Sequence, residues 1–367
     1  MTAVKVAFFV VVQLLALVSL WYVPYRIAPL FDLKKRWPRH VASLLLLAAL
    51  ATCLGAFSRA TGVLLLVAAP VAGALVGMHV YLALLLVLLD GLRPLLRIPR
   101  RAGTWAAIGI AGGLTAVGLF QARVFRVTTT EIPIAGLARD VTLVHISDVH
   151  LGHQRGAAYL ERIVRATNRF KPDLVLLNGD LVEANSALEP GVLSALGKIE
   201  APAYFTTGNH ESYVSTRRAL AAIASHGVRL LHNEVVEAHG LQIIGLDYMN
   251  ADNKTFDPHK VGKRNIKEEL PKIATEPGRP VLLVHHSPVG LDYVAERGVA
   301  LMISGHTHGG QMFPATLAQP LFFPIGTGLH IRRGVQIFVS QGAGTYGPPL
   351  RLGTRNEINL IRLVPKR

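Results

Sequence analysis

Four charge-free apolar runs dominate the first third of the chain and restrict its folding more than any other feature. No Asp, Glu, Lys or Arg interrupts the intervals between Lys5 and Arg26, His40 and Arg59, Arg59 and Asp90, or Arg101 and Arg123. Each interval is rich in Leu, Val and Ala and comes close to or exceeds the ~20 residues a helix needs to cross a ~30 Å hydrocarbon core. Backbone polar groups in hydrocarbon must be satisfied within their own segment, so helices are expected at about 6–25, 41–58, 62–89 and 103–122. The third is overlong and contains Pro70, which predicts a tilt or a kink. The first run exceeds the core of a signal peptide and has no small-x-small site before the next basic loop, so it reads as a retained helix.

Charge divides the chain the same way. Residues 1–127 hold 13 Lys/Arg against 2 Asp/Glu, and residues 128–367 hold 25 against 21, giving net charges of +11 and +4. In a soluble protein the total of +15 would point to nucleic acid. Most of the surplus lies in short loops between apolar runs, where membrane topology accounts for it, and no nucleic acid partner is expected. A mean hydropathy of +0.38 with 17% charged residues likewise excludes a disordered chain and an ordinary cytosolic enzyme. Arg26, Lys34, Lys35, Arg36 and Arg39 follow the first run, and Arg93, Arg97, Arg100 and Arg101 precede the fourth. Lys5, Arg59, Arg123, Arg126 and Arg139 fall on the opposite side. An excess of Lys and Arg marks cytoplasmic loops. The expectation is therefore an integral protein of an inner or plasma membrane, with both termini and everything after residue 123 on the outer side. His79 and Gln13 are too few for a transport pathway, so the helices read as an anchor. The single Cys53 can form no disulfide within the chain.

From residue 139 short apolar runs alternate with helical stretches, the texture of an α/β domain. The division expected is a transmembrane region at 1–123, a linker at 124–138 and a soluble domain at 139–367. Strands are placed at Val141–Ile146, Leu174–Leu177, Ala203–Thr206, Leu241–Gly245, Val281–Val284, Leu301–Ile303, Val335–Val339 and Ile358–Leu363. Helices are placed at Ala157–Phe170, Thr216–His226 and Leu291–Arg297. The short linker keeps any site in this domain close to the bilayer.

Asp, Asn and His gather at the ends of those strands. The first leads into Ser147-Asp148-Val149-His150, the second into Asn178-Gly179-Asp180, and the third into Gly208-Asn209-His210-Glu211. Later strands lead into His285-His286-Ser287-Pro288 and Ser304-Gly305-His306-Thr307-His308-Gly309-Gly310-Gln311. In extended backbone, residues one and three of Asp-x-His or His-x-His point to the same side, so each motif can offer two ligands to one region. Any one block alone is a weak signal. Five in order, each at a strand end and each using only oxygen and nitrogen donors, describe a two-metal centre.

With the blocks D-x-H, G-D, G-N-H-E, H and G-H-x-H, the chain resembles the calcineurin-like metallophosphoesterases over about residues 130–365. The run Gly305 to Gln311 and the stretch Gly344 to Ile358 are similar to a bacterial membrane-associated branch that includes envelope phosphoesterases and a UDP-diacylglucosamine pyrophosphohydrolase. Asn356 departs from that branch, which often has Pro there. The resemblance implies a four-layer αββα sandwich, here preceded by a four-helix transmembrane region, and a hydrolase using two divalent ions of Mn, Fe or Zn. It implies that Asp148, His150, Asp180 and His308 hold one ion and Asp180, Asn209, His286 and His306 the other, with Asp180 bridging. His210 would contact phosphate or protonate the leaving oxygen, and Glu211 would orient the His210 ring. The family places its ligand two residues before proline, which selects His286 over His285; His285 then reads as packing or support.

The remaining polar residues receive blander readings. His145 and His153 read as strand or surface histidines, and Asp247 as a turn residue. His226, His232, His239, His259 and His330 read as solvated. Arg332, Arg333, Arg351 and Arg355 read as surface arginines, with phosphate contact as the alternative. Residues 312–325, with Phe322 and Phe323, form either a buried loop or a membrane-dipping lid, and a lid would mean a lipid phosphoester substrate. The function expected is a membrane-anchored dinuclear-metal phosphoesterase, acting on a monoester, diester or pyrophosphate of a membrane lipid or lipid-linked envelope substrate at the bilayer. A cytoplasmic-facing UDP-diacylglucosamine-type pyrophosphohydrolase conflicts with the charge count. A membrane receptor or complex subunit conflicts with an intact set of ligands.

Overall fold

The computed structural model describes residues 2–31, 37–53, 62–255, 262–323 and 325–366. Residues 54–58 of the second expected span, Lys34, Lys35, Arg36 and Arg59 among the topology-bearing charges, His259 and Pro324 lie outside the described residues. Helices α1 (Thr2–Ile27), α2 (Trp37–Cys53), α3 (Val63–Leu96) and α4 (Arg100–Gln121) come first. Three of them, α1, α3 and α4, are long and apolar enough to cross a membrane, where four were expected. The remaining helix, α2, has 17 described residues and begins four residues before the apolar run, taking in Trp37, Pro38, Arg39 and His40. Proline is tolerated in a helix's first turn, where its missing N–H is no loss. The third helix runs 34 residues through both Pro70 and Pro94, about 51 Å at 1.5 Å per residue and well beyond one bilayer core. A core of Val23, Tyr81, Leu82, Leu86, Ala107 and Ala111 joins α1, α3 and α4.

Residues 124–138, expected as a linker, instead contain strand β1 (Phe125–Ile134), which pairs in parallel with the C-terminal strand along all ten residues. The strand was hidden by its polarity. Thr128, Thr129 and Thr130 are β-branched and suit a strand, but at a sheet edge only its far end, Ile132 and Ile134, is buried. The chain therefore passes from α4 into the sheet with three residues between.

The following elements are β2 (Val141–Ile146), α5 (Ala157–Asn168), β3 (Leu174–Asn178), β4 (Ala203–Thr206), α6 (Thr216–Ala224), β5 (Arg229–Leu230), β6 (Glu234–Ala238) and β7 (Leu241–Gly245). Then come α7 (Ile266–Glu269), β8 (Val281–Val284), α8 (Leu291–Glu296), β9 (Leu301–Ser304), α9 (Ala315–Phe322), β10 (Gly328–Arg332), β11 (Val335–Val339) and β12 (Asn356–Pro365). They build two mixed sheets, ordered β1-β12-β2-β3-β4-β5 and β10-β11-β9-β8-β7-β6. In the first, β2, β3, β4 and β5 are parallel and β12 runs against β2; in the second, β7, β8, β9 and β11 are parallel, with β6 and β10 antiparallel at the edges.

Three apolar cores make the layers. Between the sheets lie Leu143, Leu174, Leu176, Ile243, Leu282, Ile303 and Phe338. Outside the first sheet, Leu160, Ile163 and Val164 of α5 and Ala219 and Ile223 of α6 pack on Val144, Val175 and Phe205. Outside the second, Ile266 and Val294 pack on Leu283, Met302 and Ile337. Central strands are thus covered on both faces, and this is why β3, β7, β8 and β9 are buried at every position instead of at alternate ones.

Candidate metal centre

Parallel strands leave their carboxyl ends along one rim of the sandwich. Asp148 and His150 follow β2, Asp180 follows β3, Asn209 and His210 follow β4, His286 follows β8, and His306 and His308 follow β9. Both sheets therefore contribute. The backbone there is not the extended form expected for Asp-x-His. Asp148, His150, Asp180, His306 and His308 all sit in the left-handed region, with φ of 54°, 53°, 52°, 68° and 48°. Such conformations are costly for residues with a Cβ, and surrounding contacts must hold them. Among those contacts, the His306 N–H donates to both Asp148 carboxylate oxygens at 3.1 and 3.0 Å, and the His210 N–H donates to Asp180 Oδ1 at 2.9 Å. Two glycines make the approach possible. A Cβ on Gly208 would lie 2.5 Å from the Asp180 backbone nitrogen, and one on Gly305 would overlap Asp148 Oδ2 and Ser147 Oγ.

The side chains converge at ligand spacing. Asp180 Oδ2 lies 3.1 Å from His286 Nε2, and 3.8 Å from both His150 Nε2 and His210 Nε2. Asp148 Oδ1 lies 3.2 Å from His308 Nε2, 3.6 Å from His286 Nε2 and 4.0 Å from His150 Nε2, and the two nitrogens of His150 and His308 are 3.0 Å apart. Donors each about 2.0–2.2 Å from one ion are separated by about 3–4 Å. Among the described residues three such groups occur: Asp148 with His150 and His308; His150 with Asp180 and His210; and Asp180 with His286 and His306. Asp180 belongs to two of them.

The donor chemistry fits divalent ions. His286 Nε2 and Asn209 Oδ1 are buried without a hydrogen-bond partner among the described residues, which is costly for a polar atom unless something else uses its lone pair. His286 Nδ1 lies 2.8 Å from the Asn178 carbonyl oxygen, which fixes the tautomer with its proton on Nδ1 and leaves Nε2 free to coordinate. Burial favours neutral His286, yet the carboxylates of Asp180 and Asp148 outweigh it and push the imidazole up to about 10. Burial likewise favours protonated Asp148 and Asp180, but neighbouring imidazoles, His308 and His286 for the first and His286 and His210 for the second, hold both carboxyls below the usual range. The field that holds a proton on His286 is the field a cation would meet.

These ligands open on a cavity of about 840 Å³. Asp180, Asn209, His210, His306 and His308 form its polar end, and Val289, Leu291, Phe322, Phe323 and Ile325 contribute its apolar wall. Residues 141–310 match the calcineurin-like phosphoesterase family. They form a calcineurin-like metallophosphoesterase domain. A "Transmembrane protein with metallophosphoesterase domain" of Bos taurus is 31% identical over 277 residues, covering 70% of this chain and 61% of that one. An "Uncharacterized metallophosphoesterase" of Helicobacter pylori strain J99 is 30% identical, covering 66% of this chain and 64% of its own length. "Phosphodiesterase YaeI" of Escherichia coli K12 is 27% identical, covering 60% of this chain and 82% of that protein. The chain thus spans somewhat less than two thirds of the first two relatives.

Among the other polar residues of the metallophosphoesterase domain, Glu211 departs from its expected role. Glu211 serves the backbone. It accepts N–H groups from Asp180 at 3.1 Å, Leu181 at 2.8 Å, Val182 at 3.0 Å and Gly208 at 2.8 Å, so it clamps the Asp180 loop to the Asn209 loop. Burial, with help from Asp180, pushes its carboxyl up to about 7 against those N–H groups. The His285 ring is fully buried, with Nδ1 2.7 Å from the Ser287 carbonyl and Nε2 3.4 Å from the Met249 N–H, and it stacks on the ring of Tyr248. His145 lies between the sheets, where burial lowers it to about 3. Asp247 takes hydrogen bonds from Thr207 and Asn233 in its turn and lies 3.0 Å from His232.

Arg351 is not on the surface: it is among the largest fully buried side chains. Two functional neighbours escaped the sequence reading. Glu183 Oε2 lies 3.6 Å from His150 Nδ1, behind the ligand, and burial pushes its carboxyl up to about 8. Tyr346 places its ring 5.0 Å from that of His308 and lines the cavity. Glu183 stands three residues after Asp180, a spacing that could have flagged it; Tyr346 lay within the recognised C-terminal stretch without an assigned role.

Proposed function

We propose that the chain is a membrane-anchored phosphoesterase that uses two divalent ions to hydrolyse a phosphoester or pyrophosphate bond of a lipid or lipid-linked envelope substrate. The observation that carries this is the position of Asp180, which belongs to two ligand groups at once, its Oδ2 standing 3.1 Å from His286 Nε2 and 3.8 Å from both His150 Nε2 and His210 Nε2. Asp148, His150, Asp180 and His308 would hold one ion, and Asp180, Asn209, His286 and His306 the other. When bound, such a pair supplies Lewis acidity toward phosphoryl oxygens and lowers the pKa of water to near neutral. His210 lines the cavity with Nε2 at its polar end, where it can hold phosphate or deliver a proton to the leaving oxygen. Imidazole, carboxylate and amide donors of this kind suit Mn, Fe or Zn.

The lipid reading rests on α9. Phe322 and Phe323 line the cavity, while Phe313, Leu317 and Leu321 are exposed on the same segment, at 49%, 70% and 51%. One side of the segment thus meets the reacting end and the other offers apolar surface to a bilayer. The names of the relatives, transmembrane in one case and phosphodiesterase in another, are consistent with this. The proposed setting is a bacterial inner or plasma membrane with the domain on the extracytoplasmic side, an orientation that requires α2 to cross as well and so puts both basic loops in the cytoplasm.

The test is hydrolysis by the full chain in detergent after reloading with Mn²⁺, comparing a bis-aryl phosphate, an aryl phosphate and a lipid phosphoester in mixed micelles, beside Asp180→Ala. Activity that needs both Mn²⁺ and Asp180 is expected. A chain that binds two ions yet cleaves none of the three nor a pyrophosphate diester, or an Asp180→Ala variant as active as wild type, would overturn the proposal.

A further inference from the structure

The end of the helix bundle and the back of the metal centre meet at two adjacent residues. Leu350 is fully buried against α3 and α4: a Cβ on Gly77 would overlap its Cδ1, and one on Gly118 would lie 2.7 Å from its Cδ2. Gly73, one turn before Gly77, faces Pro349 in the same way. These three glycines make a notch that Pro349 and Leu350 fill. The next residue is tied to the same helix through its backbone, since the Arg351 N–H donates to the Gly118 carbonyl at 3.0 Å. That carbonyl, in the last turn of α4, also accepts the Ala122 N–H at 3.0 Å, so the Arg351 N–H takes its second lone pair.

The Arg351 side chain runs the other way, into the metallophosphoesterase domain. Its Nη1 donates to the His308 carbonyl at 2.8 Å and to Thr354 Oγ1 at 3.1 Å, and its Nη2 donates to the Gln341 and Gly344 carbonyls, both at 2.6 Å, beside His308 Nδ1 at 3.0 Å. Nε donates to Asn356 Oδ1 at 2.9 Å, and Asn356 in turn donates to the Ala122 carbonyl just past α4 at 2.7 Å. A buried guanidinium is tolerated when its donors are satisfied, and here the fixed fork holds three chain segments, at 308, 341–344 and 354–356, in one geometry. His308 has a left-handed backbone that something must hold, and Arg351 grips that residue at its carbonyl.

We infer that the helix bundle positions the metal ligand His308 through Leu350 and Arg351, which makes α3 and α4 part of the scaffold of the metal centre. Leu350 and Arg351 are positioning residues. The inference rests on the two-ion reading above, and it predicts an effect confined to the ion that His308 holds. Removing a partner behind a metal ligand weakens binding roughly 10- to 100-fold.

The test uses the full chain in detergent, with Mn²⁺ binding isotherms, the electron paramagnetic resonance spectrum of the loaded protein, and the unfolding midpoint. Leu350→Ala empties the notch, Leu350→Met refills it with nearly the same volume, and Arg351→Lys keeps the charge but loses the fork. Expected for Leu350→Ala and Arg351→Lys is one ion weakened about 10- to 100-fold, with the spectrum of a coupled Mn²⁺ pair giving way to that of a single ion. Leu350→Met should restore the pair. Wild-type affinity for both ions in Leu350→Ala would overturn the inference, as would loss of both ions together with a collapsed unfolding midpoint in all three variants. A wild-type chain that binds no Mn²⁺ would overturn the two-ion reading and this inference with it.

Discussion

Glu211 offers the sharpest separation between two accounts of the same residue. If it oriented the His210 ring, Glu211→Gln would lower turnover and leave the fold alone. The structure gives it a different task, because both carboxylate oxygens accept pairs of backbone N–H groups: Oε1 from Leu181 and Val182, Oε2 from Asp180 and Gly208. An amide has one oxygen and one NH₂, so whichever way Gln sits, its NH₂ faces two N–H donors. Two buried donors are left without acceptors, at about 1–3 kcal/mol each, for a total of roughly 2–6 kcal/mol. In a domain of this size about 1 kcal/mol moves the midpoint by roughly 2–4 °C, so a fall on the order of 10 °C is expected. Because two of the four donors flank the Asp180 side chain, Mn²⁺ affinity should fall as well. The assay is thermal unfolding of the full chain in detergent, with chelator and with saturating Mn²⁺, beside kcat on an aryl phosphate. A Glu211→Gln chain that unfolds at the wild-type temperature with wild-type Mn²⁺ affinity, but turns over slowly, would refute this account.

Three further outcomes are expected. Gly208→Ala places a Cβ 2.5 Å from the Asp180 backbone nitrogen and should cost about 1–3 kcal/mol while weakening Mn²⁺ binding; an unchanged isotherm would count against the tight loop contact. Replacing Phe322 and Phe323 together with Ser should lower kcat/KM on a lipid phosphoester roughly 10- to 100-fold and spare a soluble aryl phosphate, whereas equal losses on both would remove the case for a lipid-facing wall. For His145, burial places the folded pKa at about 3, below the ordinary 6.5, so between those values the unfolded chain takes up a proton that the folded chain refuses. Stability from this group is complete above pH 6.5 and falls by up to about 1.4 kcal/mol per unit as pH drops toward 3. In chelator, His145→Gln should flatten that part of the midpoint-against-pH curve, and parallel curves would contradict the assignment.

What could be read from the chain in advance was what depends on neighbours in sequence. Strands β2, β4, β7, β8 and β11 begin and end at the residues expected, since each is a short apolar run closed by Gly, Pro, Asp or polar residues and buried on both sides. The metal motifs were equally visible because they sit where those runs stop. Edge strands were not: β1 and β10 alternate weakly or expose most of their residues, and β6 carries Glu234 and Glu237. Their identity as strands comes from partners, in the case of β1 from β12 more than two hundred residues away. The same reasoning explains the errors at the site. Glu211 and Arg351 are charged residues whose default is the surface, and only the convergence of distant backbone groups makes their burial tolerable. Asn356, which looked like a local departure, bridges Arg351 to the end of α4, so its amide has a use that Pro could not supply. A charged or amide residue set among Pro, Leu and Gly, as in Pro348-Pro349-Leu350-Arg351-Leu352-Gly353, is therefore better read as the centre of a buried hydrogen-bond hub than as a solvated side chain.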